Sequence, residues 1–300
     1  MKSLNEILEL ARKIGPLKIA VAAPEDKEVL RALNQATREK IIQGILIGNR
    51  KNIKKICQEE DINPVDFEII DELDGFKASI MCCQLVNQKK AALMMKGLVG
   101  TADFLKAVLD KEKGLTTGRL LSHLAVFEIP SYPKLLMLTD VAINISPDLS
   151  EKAQIIQNAV DMAHCLGIKN PFVACIAAIE KINPEKMPST VDAAALSMMA
   201  KRGQIKGAVV DGPFGMDNAV SLESAKIKGV KSKIAGKADI LLVPQIESGN
   251  VIYKTLTELA RAKCAAIVLG AKSPVVLTSR ADDYETKFIS IALGVAGCRV

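Results

Sequence analysis

Tryptophan is absent from this 300-residue chain, and aromatic residues together make up only 3% of it. A core built with so few rings must come from Ala, Val, Ile, Leu and Met within the 49% hydrophobic fraction, as in helices layered on a buried parallel sheet. No stretch offers the ~20 uninterrupted apolar residues that a membrane span needs. The seven cysteines (Cys57, Cys82, Cys83, Cys165, Cys175, Cys264, Cys298) show no C-x-x-C spacing, which argues against the usual metal frameworks. Most of them sit in apolar runs, where free cysteine behaves as a small hydrophobe. Their odd number, with an amphipathic rather than apolar Met1–Ile14 segment, points to a reducing cytoplasm. Histidine is scarce: His123 starts a strand and His164 lies on a helix, and each reads as packing or surface. The net charge of +6 is scattered, with no basic patch interleaved with aromatics, which argues against nucleic acid as a partner and suits small polyanions.

What is present is alternation. Lys18–Ala23 reads as a strand followed by a helix over Glu25–Thr37 that Pro24 opens. Strands at Gly44–Ile47, Phe67–Ile70 and Ala92–Met95 alternate with helices at Asn49–Glu60, Gly75–Gln88 and the segment ending at Leu109. Such β-α-β-α order predicts a parallel sheet covered on both faces, with ligands collecting at the strand C-termini. The rhythm breaks at 119–139. Strands Leu120–Ile129 and Lys134–Leu138 are joined by Pro130-Ser131-Tyr132-Pro133, too short for a crossover helix, so they form a hairpin. Helices at Asp148–Leu166, Thr190–Ala200, Asn218–Ile227 and Asn250–Ala262 then alternate with strands at Phe172–Ala177, Ala208–Asp211, Ile240–Pro244 and Ala266–Gly270.

Near the C-terminus an apolar run ends on Ser279-Arg280, and Ala281-Asp282-Asp283 precedes a helical pattern through Leu293. A serine and an arginine thus stand at a strand-to-helix junction, where unpaired N–H groups and the helix dipole favour an anion. The arginine can clamp a phosphate through two parallel hydrogen bonds. Four more loops fall at predicted strand ends: Lys96–Asp103, with Gly97, Gly100 and Thr101 before a helix; Gly118–His123; Asp211–Ala219; and Pro244–Asn250. Gly97 and Gly100 would let the backbone approach a ligand. Neither a Rossmann fingerprint nor a P-loop is present.

Together these segments resemble the phosphate acetyl/butyryl transferase family, closest to its phosphate butyryltransferase branch. The resemblance is carried in order by KGLVGTADFLKAVL (96–109), GLTTGRLLSHLAVFE (114–128), DGPFGMDNA (211–219), PQIESGNVIYK (244–254) and SPVVLTSRADD (273–283). It implies a reversible phosphate acyltransferase that converts acyl-CoA and phosphate to acyl phosphate and CoA. It also implies the α/β/α fold of isocitrate and isopropylmalate dehydrogenases, with two lobes and the active cleft between them. The lobes are then 1–130 plus 267–300, and 131–266. No metal or redox cofactor is needed, coenzyme A and phosphate being substrates, and a homo-oligomer is expected.

The resemblance places Arg280 on the phosphate and Ser279 on the oxyanion or phosphate. Arg119 matches an arginine near the phosphate end, and Lys106 stands where longer phosphotransacetylases have arginine. The catalytic carboxylate lies shortly after Ser-Arg; Glu285 matches with a one-residue gap, while Asp282 and Asp283 remain alternatives. Asp282 and Asp283 could equally serve the helix dipole. Asn250, Tyr253 and Lys254 look family-like, whether they touch substrate or hold the cleft. A preference for acetyl-CoA, and a catalytically silent acyl-CoA or phosphate sensor, are the rival expectations.

Overall fold

Strand and helix alternate through the chain as the apolar periodicity predicts. The computed structural model describes residues 1–298. The chain divides into two units, one of Asn5–Arg119 with the chain from Ala265 onward, the other of Met1–Leu4 with Leu120–Cys264. The division falls ahead of the hairpin, so both hairpin strands lie in the second unit. No helix among the described residues is long and apolar enough to cross a membrane.

The first unit begins with α1 (Leu4–Ile14) and continues β1 (Leu17–Ala22), α2 (Lys27–Arg38), β2 (Ile42–Gly48), α3 (Arg50–Glu59), β3 (Glu68–Asp71), α4 (Gly75–Asn87), β4 (Leu93–Lys96) and α5 (Thr101–Val108). Short polar residues set the helix starts. Asp26, Asn49 and Asp74 each accept a first-turn N–H of α2, α3 and α4, which satisfies donors that a helix cannot pair internally. A 3-10 turn at Pro64–Asp66, not evident from periodicity, precedes β3.

The second unit holds β5 (Ser122–Glu128), β6 (Leu136–Thr139), α6 (Leu149–Cys165), β7 (Phe172–Ile176), α7 (Pro188–Lys201), β8 (Val209–Phe214), α8 (Met216–Val220), α9 (Leu222–Ile227), β9 (Ile240–Leu242) and α10 (Ile246–Lys254). Its strand order is β5-β6-β9-β7-β8, with the hairpin β5-β6 antiparallel and the rest parallel. Three expectations need correcting. The strand expected to end at Asp211 continues through Gly212-Pro213 to Phe214; proline is tolerated because β8 is last in that order, and the register shifts between Ala174 and Ile176. The helix expected over 218–227 is two, because Ser221 is extended (φ −125°, ψ 116°) and caps the second through Ser224 N–H. The helix expected from Asn250 starts at Ile246, capped by Gln245, and passes into a π-helical turn at Thr255–Leu259. Gly249 lies inside α10 because a Cβ there would come 2.5 Å from the Asp140 carbonyl oxygen.

The chain then returns to the first unit through β10 (Lys263–Leu269), β11 (Val275–Val276) and α11 (Tyr284–Gly297). The order there is β3-β2-β1-β4-β11-β10, all parallel except β11 against β10. The five residues between β10 and β11 leave no room for a crossover helix. β11 runs parallel to β4, pairing Val275 with Met94 and Val276 with Met95. The loops after β1, β4 and β11 therefore open at one end of the sheet. They also touch: the Gly97 and Leu98 N–H groups donate to the Ala22 and Ala23 carbonyls at 2.8 and 2.7 Å.

This contact decides why residue 97 is glycine. A Cβ at Gly97 would lie 2.0 Å from the Ala23 oxygen and 2.7 Å from that of Ala22, whereas one at Gly100 would meet only an Asp103 side-chain oxygen at 3.5 Å. Gly97→Ala is expected to destabilise the protein by about 3 kcal/mol or more, and Gly100→Ala by under about 1 kcal/mol, in urea unfolding. Equal costs would contradict this packing.

Candidate active site

Ser279 and Arg280 follow β11 after the buried Leu277 and Thr278, and both are exposed. The turn that carries them is held from within. Asp282 Oδ2 accepts the Ser279 N–H at 2.7 Å, the Asp282 N–H donates to the Ser279 carbonyl at 3.2 Å, and Ser279 Oγ accepts the Ala281 N–H at 3.3 Å. Asp283 is the N-cap of α11, its carboxylate accepting the Thr286 N–H at 2.9 Å. Glu28, on α2, accepts the Tyr284 N–H at 3.0 Å. Three carboxylates thus serve this turn and helix start: Asp283 and Glu28 accept N–H groups at the start of α11, whereas Asp282 closes the turn before it. Glu285 sits one residue into α11 and is half-buried.

The Ser-Arg turn and the loop after β4 meet directly, because Arg280 Nη2 donates to the Leu98 carbonyl at 3.1 Å. Gly97, Gly100, Thr101, Ser279, Arg280, Asp283 and Glu285 are therefore gathered on two adjoining loops and the helix starts beyond them. Lys106 is further along α5, exposed, with its ammonium 5.6 Å from the Phe76 ring centroid. Arg119 is exposed at the end of the unit's first segment, and its N–H donates to Thr117 Oγ1 at 3.2 Å.

Asn250 and Lys254 belong to α10 in the other unit. Asn250 is exposed and its amide reaches the Val141 carbonyl at 3.4 Å, while the Lys254 ammonium stands 5.5 Å from the Tyr253 ring centroid. The loop that Asn250 braces is organised by a buried carboxylate, Asp140, which accepts N–H groups of His123, Ala142, Ile143 and Asn144 and the Asn144 side-chain amide.

Two lysines escaped the sequence reading. Lys96, the last residue of β4, is 4% exposed, and Lys287, in α11, is 3% exposed. Lys96 Nζ donates to the Gly97 and Val99 carbonyls at 3.0 and 3.3 Å. Lys287 Nζ donates to the Ser279 carbonyl at 3.1 Å and to that of Asp282. With Arg280 they line a void of about 10 Å³, room for one water at most, so an anion would sit on the outer rim. Burial lowers the Lys96 ammonium below the ordinary lysine value, with repulsion from Arg280 and then Lys287 adding to it and Asp26 and Asp282 opposing. A signal for Lys287 existed: with Tyr284, Phe288 and Ile291 it has the i, i+3, i+4, i+7 spacing of a helix's inner face.

Comparison with known proteins now bears on this site. Residues 76–295 match the model of the Phosphate acetyl/butaryl transferase family. The chain belongs to this family. It is 51% identical to a phosphate butyryltransferase of Clostridium acetobutylicum over 99% of each chain, and 46% identical to a phosphate acetyltransferase of Thermotoga maritima over 97% of this chain and 98% of that one. A crystal structure of a branched-chain phosphotransacylase from Enterococcus faecalis superposes with a TM-score of 0.83 at 32% identity, covering 94% of this chain and 99% of that one. Family membership over nearly the whole length makes the protein a transferase with the mixed α/β fold of phosphotransacylases.

The depressed Lys96 ammonium makes folding stability depend on pH. The unfolded chain keeps that proton up to the ordinary lysine value, while the folded chain releases it earlier. In the window between, the unfolded state binds more protons, so stability rises with pH. The unfolding free energy of wild type relative to Lys96→Met should therefore increase as pH is raised from neutrality toward the ordinary lysine value. A difference that stays flat or shrinks in urea titrations would contradict this.

Proposed function

We propose that the protein catalyses reversible transfer of a short-chain acyl group, butyryl foremost, between coenzyme A and inorganic phosphate. The single observation that carries this reading is the joining of the Ser279-Arg280 turn to the 97–101 loop by the Arg280–Leu98 hydrogen bond. It concentrates cationic and hydrogen-bonding groups at the C-terminal ends of parallel strands, where this class of sheet collects ligands. The 51% identity to a phosphate butyryltransferase supports butyryl as the acyl group.

In the acyl-phosphate-forming direction a phosphate oxygen attacks the thioester carbonyl. The carbonyl π pair moves to oxygen, and collapse of the tetrahedral oxyanion expels CoA thiolate. Arg280 grips the phosphate through its planar fork and, with the Ser279 hydroxyl, stabilises the oxyanion. In reverse a carboxylate takes the thiol proton as CoA sulfur attacks the acyl carbonyl of the acyl phosphate, and collapse of the oxyanion breaks the C–O bond and releases inorganic phosphate. We assign this base role to Glu285, because Asp283 is already the cap of α11. Arg119 and Lys106 supply cations for the substrate's phosphates, and Gly100 and Thr101 supply N–H groups at the start of α5; in the other unit Asn250 braces its own loop and Lys254 stands on α10 as a further cation. The chemistry requires neither metal nor redox cofactor. Cytoplasmic action as a homo-oligomer completes the reading, and the mass in solution tests the latter: a monomer would overturn it.

The deciding experiment follows free thiol released from butyryl-CoA by purified protein, with and without phosphate. Release should require phosphate and be faster than with acetyl-CoA by about tenfold, the scale of one or two methylenes in an apolar pocket. Arg280→Ala should lose about a hundredfold or more. Glu285→Gln should lose activity with its stability unchanged, whereas Asp283→Ala should lose about 1 kcal/mol of stability. Faster turnover of acetyl-CoA would replace butyryl by acetyl, the activity of the 46% identical relative. No phosphate-dependent release from folded protein would overturn the reading.

A further inference from the structure

Each buried ammonium in the first unit is satisfied by backbone carbonyls of the two candidate loops. Lys96 takes those of Gly97 and Val99 and Lys287 those of Ser279 and Asp282, while the exposed Arg280 guanidinium takes that of Leu98. A trans peptide unit is planar, with its C=O and N–H pointing in opposite directions. A carbonyl turned toward an interior lysine therefore turns the N–H of the next residue away from it. For the units beginning at Val99, Ser279 and Asp282, those N–H groups belong to Gly100, Arg280 and Asp283. None of the three has a hydrogen-bond acceptor among the described residues. The Leu98 N–H is different, since it is spent on the Ala23 carbonyl at 2.7 Å.

We propose that Lys287 and Lys96 are positioning residues for acyl transfer: by holding the Val99, Ser279 and Asp282 carbonyls inward they keep three N–H groups turned outward beside Ser279 and Arg280, as a main-chain cradle for phosphate. The lysines do not touch substrate. They lie behind the turn, and their charge adds to the attraction for an anion on the rim. Lys287 acts on the Ser279-Arg280 turn itself and Lys96 on the loop after β4, so each should affect its own loop first. The proposal rests on the phosphate-acyltransfer reading above, and its test has one arm that does not depend on activity.

That arm is amide hydrogen exchange in the ligand-free full-length protein. The Ser279 and Asp282 N–H groups are both hydrogen-bonded inside the turn, so they report whether it holds. In Lys287→Met, which removes the ammonium at similar volume, exchange at both should accelerate about tenfold, the scale of one hydrogen bond to a charged group. The interior of α11 should keep its protection. The second arm is kinetic: KM for phosphate should rise about tenfold, while KM for butyryl-CoA changes less than about twofold. Lys287→Gln, which keeps an N–H donor, serves if the methionine variant does not fold, and should show smaller changes of the same kind. Unchanged exchange at Ser279 and Asp282 would overturn the proposal whatever the activity. Equal rises in both KM values, or loss of protection throughout α11, would reduce Lys287 to a general stability role and also overturn it. Wild type without phosphate-dependent release would sink the acyltransfer reading, and the exchange arm would still decide whether Lys287 holds the turn.

Discussion

A lysine buried to within a few per cent of its surface must find acceptors or give up its charge. In the first unit two such lysines are satisfied by main-chain carbonyls rather than by carboxylates, and those carbonyls belong to the loops after β4 and β11. The loops are thereby fixed from the inside. The remaining restraints come from the loop after β1 and the start of α2: Ala22 and Ala23 receive the Gly97 and Leu98 N–H groups, and Glu28 receives that of Tyr284. Three parallel strands, β1, β4 and β11, thus end in loops that hold one another. A close approach of backbone to backbone at Gly97 is the steric cost of that arrangement.

The electrostatic result is a concentration of positive charge at one end of the sheet. Lys96, Lys287 and Arg280 lie around one small void, and Asp26 and Asp282 offset them in part. Burying cations together is unfavourable unless something anionic offsets the repulsion, and the void is too small to admit more than water. On the reading proposed above, an anion at the exposed Ser279 and Arg280 would meet both requirements. Phosphate attack on a thioester places developing negative charge in the same neighbourhood, so groups that bind the ground-state anion also serve the tetrahedral oxyanion. Family membership and the geometry of the first unit therefore point to the same chemistry from independent directions.

Much of this was legible in the sequence, for physical reasons that can be named. The Ser279-Arg280 junction stood out because apolar Val275–Leu277 gives way abruptly to polar residues and then to a helical period. The hairpin stood out because four residues cannot make a crossover. The buried lysines did not, since an amine beside an apolar run is ordinarily a solvated one; only the inner-face spacing of Lys287 with Phe288 and Ile291 betrayed it. The close approach of Gly97 to Ala23 involves residues far apart in sequence, so the sequence alone does not separate it from room for a ligand. Local chemistry also won over periodicity at Ser221, whose cap splits one predicted helix into α8 and α9. At β8, the end position in the strand order allowed a proline that would otherwise have ended the strand.

The central claim is that phosphate is held by main-chain N–H groups which buried lysines turn outward next to Arg280. The most direct test is a phosphate titration of isotopically labelled, otherwise unliganded protein, following backbone amide resonances by NMR. The account predicts that Gly100, Arg280 and Asp283 shift together with one saturation curve, and that the set stops responding in Arg280→Ala. Saturable shifts confined to other residues, with these three unmoved, would contradict it.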